Sequence, residues 1–123
     1  MREENSIELL NLPKRFNNKL ISDIERIEKY NIPGLLVIIL FGSCARNEMK
    51  LGSDIDLMIV TEGKITDRFL KGELRCDLDE YIDNTRTDIV FTSKDWFYNV
   101  NNPLMNEVRK DGIIIRRYTI DRK

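Results

Sequence analysis

The chain has 123 residues, 20 of them basic and 21 acidic, for a net charge of −1, with 41% apolar residues and no histidine. That length suits one domain with its own core. The balanced charge argues against strong nucleic-acid binding, which needs clustered Lys and Arg, and the lack of His closes off imidazole acid–base and zinc chemistry.

Ser6 to Leu12 reads as a short turn or helix ahead of Pro13, in a peripheral N-terminal segment covering residues 1–13. Phe16, Leu20, Ile24, Ile27 and Tyr30 then recur every three or four residues, which predicts an amphipathic helix ended by Asn31 and Pro33-Gly34. Leu35 to Phe41 is an apolar run suited to a buried strand, and it stops at Gly42-Ser43. A short helix is expected over Ser43–Lys50, broken by Gly52 before a second strand, Asp54 to Val60. After a turn at Glu62-Gly63, Thr66 is positioned to cap a helix over Asp67–Ile82 with Phe69, Leu70, Leu74, Leu78 and Tyr81 on its inner side. Asp83-Asn84 ends it. Thr87 to Thr92 reads as a third strand, Ser93 caps a short helix over Lys94–Val100, and Asn102-Pro103 opens another that runs to Lys110, with Pro at the first helical position. A β-rich run, Ile113 to Arg116, follows Gly112. Strands separated by helices predict an α/β (α+β) domain with a mixed sheet.

The start of the chain shows no signal peptide, and its longest apolar run, Leu35 to Phe41, is far short of the ~20 residues that span a bilayer. Cys44 and Cys76 are too few for a disulfide framework. A cytoplasmic protein without a membrane partner is expected.

The most informative stretch runs from Phe41 to Leu57. Residues i and i+2 of a strand share a face, so Asp54 and Asp56 stand side by side, with Cα atoms roughly 6–7 Å apart. Two such charges repel by about 2–3 kcal/mol at an effective dielectric near 20. A divalent cation offsets that repulsion directly; the plainer alternative is a solvated strand end. Gly42 lets a phosphate approach the backbone closely, and Ser43 offers a hydroxyl and an amide, both suited to anions.

Gly42-Ser43, ten residues, then Asp54-Ile55-Asp56 resembles the signature of the polymerase-beta-like nucleotidyltransferase superfamily. The resemblance implies a small mixed central sheet with helices mainly on one side. It also implies that Gly42 and Ser43 grip nucleotide phosphates while Asp54 and Asp56 hold two Mg²⁺ ions. The family uses a third carboxylate on a neighbouring strand. Asp88, opening the third predicted strand, fits that place as metal ligand and as general base or orienter of the acceptor hydroxyl, the alternative being an ordinary strand-end aspartate. Arg46 either reaches triphosphate oxygens or pairs with Glu48, and Ser53 either orients Asp54, within a nucleotide-binding set of Gly42, Ser43, Arg46 and Ser53, or serves the turn alone. The family usually has glycine after this arginine, where Asn47 stands here; Asn tolerates left-handed backbone well. Cys44 reads as a small packing residue and Cys76 as inert. Trp96, Phe97 and Tyr98 form either a stacking surface or core plus one exposed ring, and Lys71 with Arg75 either a phosphate contact or a solvated helix face.

A single domain over 1–123, without template-gripping or acceptor-binding parts, is expected, and on that expectation the resemblance narrows to the minimal nucleotidyltransferase (MNT) type. Members of that branch act as antitoxins beside HEPN-type toxins and transfer AMP from ATP to a toxin tyrosine. This chain is accordingly expected to use ATP with two Mg²⁺ ions and to modify a HEPN-type partner. Neutralisation by occlusion, and transfer to a small molecule or an RNA end, are the alternatives. Oligomerisation is left open.

Overall fold

The computed structural model describes residues 1–119. Five strands form one sheet: β1 (Arg2–Glu3), β2 (Leu35–Phe41), β3 (Ile55–Thr61), β4 (Thr87–Ser93) and β5 (Ile113–Arg117), in the order β1-β5-β2-β3-β4. The sheet is mixed. β2 runs antiparallel to both β3 and β5, whereas β1 with β5 and β3 with β4 are parallel pairs. Parallel pairing of β3 and β4 needs a crossover, and α2 (Arg68–Asp79) supplies it.

Side chains alternate across the pleat, so each central strand feeds two cores. Ile38, Leu40, Ile55, Leu57, Ile59 and Ile89 point to the face covered by α1 (Lys14–Lys29) and α2. Ile39, Phe41, Met58 and Val60 point to the other face, where two short helices, α3 (Lys94–Asn99) and α4 (Pro103–Asp111), bring Phe97, Met105 and Val108. The long helices thus share one side, and the short ones cover only part of the other. The uncovered end of that second face carries the acidic residues. The N-terminal segment is tied in more firmly than a peripheral arm: Ile7, Leu10 and Leu12 are buried against α1, and β1 extends the sheet.

Three local expectations are corrected. Ser43–Lys50 is not a helix. One turn forms, with the Ala45 and Arg46 amides on the Gly42 carbonyl at 3.1 and 3.2 Å, and Asn47 then enters the left-handed region at φ 56° and stops it. The second helix is shorter than Asp67–Ile82 and is capped by Asp67 rather than Thr66. The Asp67 carboxylate accepts from the Phe69 and Leu70 amides, both at 3.0 Å, which is the stronger capping arrangement. Beyond Asp79 the chain instead makes a tight turn through Asp83 and Asn84, both at positive φ, closed by the Ile82–Thr85 bridge. Only Leu74 and Leu78 of α2 are fully buried, while Phe69 and Tyr81 are exposed. In the aromatic triplet Phe97 is core, and two rings, Trp96 and Tyr98, are exposed rather than one.

A buried ion pair braces the scaffold. Lys19 and Asp23, one turn apart on α1, are both fully buried; Lys19 Nζ donates to Asp23 at 2.5 Å and to the Leu78 carbonyl at 2.8 Å. Asp23 also accepts from the Thr87 hydroxyl. Burial pushes the Asp23 carboxyl above its usual range, against the lowering effects of Lys19 and Thr87. Helix α1, the end of α2 and the first residue of β4 are thereby locked together.

Candidate active site

Strand register builds the site. Asp56 is paired with Phe41 across β2 and with Asp88 across β4, so both carboxylates rise from the α3/α4 face on neighbouring strands, where strand spacing is about 4.8 Å. Asp54, two residues before Asp56, shares the face just ahead of β3. The three acids singled out in the sequence are therefore on one surface. Asp54 is half-buried and Asp88 more open.

Gly42 ends β2 directly beside Asp56. Its φ is +73°, and a Cβ there would lie 2.4 Å from Asp56 Oδ2. Glycine is thus required twice, by the backbone conformation and by the space the carboxylate occupies. Asp56 is the strained acid of the group. Burial first, then the charges of Asp88, Asp54 and Glu107, push its pKa up to about 6. Among the described residues nothing cationic is bonded to it, and the groups around it offer carboxylate oxygens, the ligand type that magnesium prefers. In donor chemistry, though not in the present side-chain placement, the acidic face suits a hard divalent cation.

Arg86 is the feature that pattern reading missed. It lies two residues before Asp88, at the mouth of β4, and one guanidinium serves three carboxylates. Nη1 donates to Asp54 Oδ2 at 2.7 Å, Nη2 to Asp88 Oδ1 at 2.7 Å, and Nε to Asp79 Oδ1 at 2.6 Å. The Asp79 bond chiefly, with Asp88 and Asp54 behind it, holds the guanidinium proton more firmly than usual. Among the described residues no three acidic or thiol side chains stand ready to grip an ion together; Asp54 and Asp88 are engaged with Arg86 instead. A groove of about 290 Å³ opens beside them, lined by Arg75, Cys76, Asp79, Arg86 and Asp88. The one signal of Arg86 in the sequence is its i, i+2 spacing from Asp88, which puts both on one strand face.

The remaining candidates divide. Arg46, in the Gly42–Asn47 turn, pairs with Glu107 of α4 and lies 3.5 Å from Glu48. It also lines a larger cavity, about 680 Å³, on the far side of the turn. Ser53 closes a turn: its hydroxyl accepts from the Lys50 amide at 2.7 Å, and its own amide donates to the Lys50 carbonyl at 3.0 Å. Ser43 sits half-buried at the turn itself. Cys44 is buried, and burial with the nearby Asp56 charge raises its thiol to about 11, so it stays protonated and packs. Cys76 is exposed on α2. Arg75 lays its guanidinium over the Phe91 ring, 5.2 Å from the centroid.

A second arginine missed from sequence is Arg15, at the start of α1. Its two terminal nitrogens donate to the carbonyls of Lys50 and Leu51, at 3.1 and 2.7 Å, and to the Thr85 hydroxyl at 3.2 Å. It pins together the loops that lead into Asp54 and Arg86.

Residues 18–116 match the family model of the nucleotidyltransferase domain, and the chain belongs to that family. The described residues hold no helix long and apolar enough to cross a membrane. Among solved structures, a toxin–antitoxin with AMP-PNP is 26% identical with a TM-score of 0.58, covering 82% of this chain and 73% of that one. A mutant form of the MntA–HpeT toxin–antitoxin is 27% identical with a TM-score of 0.51, covering 77% and 67%. A Shewanella oneidensis MNT antitoxin complex with a tri-AMPylated HEPN toxin is 22% identical with a TM-score of 0.54, covering 81% and 73%, a likeness of fold. The similarities run to the minimal MNT type. No curated protein matches.

Proposed function

We propose that this nucleotidyltransferase moves AMP from ATP to a tyrosine hydroxyl of a HEPN-type partner and thereby serves as an antitoxin. The observation that carries the reading is the shared face of Asp54, Asp56 and Asp88 beside Gly42. The 26%-identical toxin–antitoxin structure with AMP-PNP supports an adenine nucleotide and a toxin as partner.

In the proposed reaction the acceptor oxygen bonds to the α-phosphorus, the bond from that phosphorus to the bridging oxygen breaks, and pyrophosphate leaves. Asp88, the most open of the three acids, takes the acceptor proton. Asp54, Asp56 and Asp88 would hold Mg²⁺, which when bound supplies charge neutralisation for the entering and departing oxygens. The Gly42–Ser43 turn leaves backbone room for the phosphates, and Arg46 at its far end is within the same turn as a cation for them. Ser53 shapes the loop that delivers Asp54.

The test incubates the purified chain with α-labelled ATP, Mg²⁺ and the helical protein encoded beside it. Label on that protein, lost in Asp54→Ala and on chelation of Mg²⁺, is the expected result. The Arg86 bridge, which occupies Asp54 and Asp88, favours one rival, neutralisation by occlusion. Toxin inhibition undiminished in Asp54→Ala and Asp56→Ala would establish that rival instead. Label on an RNA end or a small molecule would move the acceptor elsewhere.

A further inference from the structure

We propose that Arg86 is a built-in counter-ion that holds Asp54 and Asp88 in the metal-free protein and passes to Asp79 when a divalent cation takes those two carboxylates. This rests on the reading of Asp54, Asp56 and Asp88 as metal ligands. Three observations carry it. The two terminal nitrogens of Arg86 sit on Asp54 and Asp88, at 2.7 Å each, so the oxygens a cation needs are already engaged. Nε is bonded separately to Asp79 at 2.6 Å, on α2 and outside the acidic face, so the guanidinium has an anchor once the other two bonds are given up. Asp56, the third acid, receives nothing from Arg86, so the trio is compensated unevenly until an ion arrives.

The exchange is local. Arg86 is partly exposed, with 28% of its side chain accessible, and it opens onto the 290 Å³ groove, so a modest side-chain rotation about the Asp79 tether suffices. A guanidinium is a planar fork matched to two carboxylates at once, whereas a small hard cation draws several oxygens inward to one point. The two arrangements exclude each other. Metal entry therefore releases a positive charge beside Asp88, at the edge of that groove.

The test measures Mn²⁺ binding to the purified full chain without nucleotide, by the loss of the free-ion electron paramagnetic resonance signal, together with the metal-induced rise in melting temperature. Arg86→Gln is expected to bind Mn²⁺ about five- to tenfold more tightly, since two charge-assisted bonds no longer compete. Arg75→Gln removes the same charge from the same groove, but from a side chain laid over Phe91, and is expected to stay within about twofold of wild type. Asp79→Asn removes the anchor and is expected to weaken binding. In the Arg86→Gln background it should do nothing, because Asp79 acts through Arg86. Affinity unchanged or lower in Arg86→Gln, with Asp54→Asn still abolishing binding, overturns the counter-ion role and leaves the metal site standing. Mn²⁺ binding untouched by Asp54→Asn and Asp56→Asn overturns the metal site and the counter-ion role together.

Discussion

Replacing Asp56 by Asn should make the metal-free protein more stable at the same time as it removes activity. Asp56 is crowded by Asp88, Asp54 and Glu107 and partly buried, which lifts its pKa from 3.8 to about 6. A carboxyl whose pKa is raised by folding contributes its stability in the protonated form: the contribution is whole below about pH 3.8 and is lost as pH rises through 6. At neutral pH the displacement corresponds to about 3 kcal/mol, and solvent on the open side of the face screens this to about 1–2 kcal/mol. Asn keeps the shape and drops the charge. Asp56→Asn is therefore expected to melt roughly 4–8 °C above wild type at about pH 8 and level with it at about pH 4, measured by thermal denaturation with chelator present. Adding Mg²⁺ should close the gap at the alkaline end by raising wild type alone. Equal melting temperatures there, or an advantage that persists undiminished in acid, would refute the account of Asp56 as an uncompensated charge.

Gly42→Ala forces a left-handed alanine, costing about 1–2 kcal/mol, and its Cβ evicts the Asp56 carboxylate from a position 2.4 Å away; urea unfolding should show a folded protein, and the nucleotide-transfer assay none of its activity. Lys19→Met strands the buried Asp23 carboxylate and should cost about 3–5 kcal/mol at neutral pH. Because burial already raises the Asp23 pKa, the loss should shrink at acid pH as Asp23 takes up a proton, and adding Asp23→Asn, which still accepts from Thr87, should recover part of it at neutral pH by the same unfolding measurement. Arg15→Met removes the donors to Lys50, Leu51 and Thr85. A loss of about 1–2 kcal/mol is expected, with faster amide hydrogen exchange confined to residues 50–53 and 83–86.

The sheet was readable because its strands carry their own signals. Leu35–Phe41 is too apolar to lie anywhere but the centre, and the i, i+2 spacing of Asp54 and Asp56 put both on one face before any strand order was known. Parallel register then sets Asp88 opposite Asp56. The short elements were harder. Thr66 and Asp67 are both capping types, and only the geometry of the turn decides that Asp67 accepts the two amides. The Ser43–Lys50 segment has helical composition, yet left-handed Asn47 ends it after one turn, a backbone choice that side-chain pattern does not announce. β1 is two residues long and exists only because β5 offers an edge. Arg15 and the Arg86–Asp54 bond were invisible for a related reason: their partners are brought together by tertiary contact, at sequence separations that no periodicity records, whereas the i, i+2 spacing of Arg86 and Asp88 is a local signal.

Thr87 and Asp88 are adjacent residues that look in opposite directions. Thr87 is gripped from behind by the sealed Lys19–Asp23 pair, while Asp88 faces the open side. What keeps the strand in place from behind and what it presents to solvent are thus drawn from separate residues. A chain stripped of its front-facing charges should keep its shape, so a chemically silent variant remains a faithful decoy for studying how the partner is held.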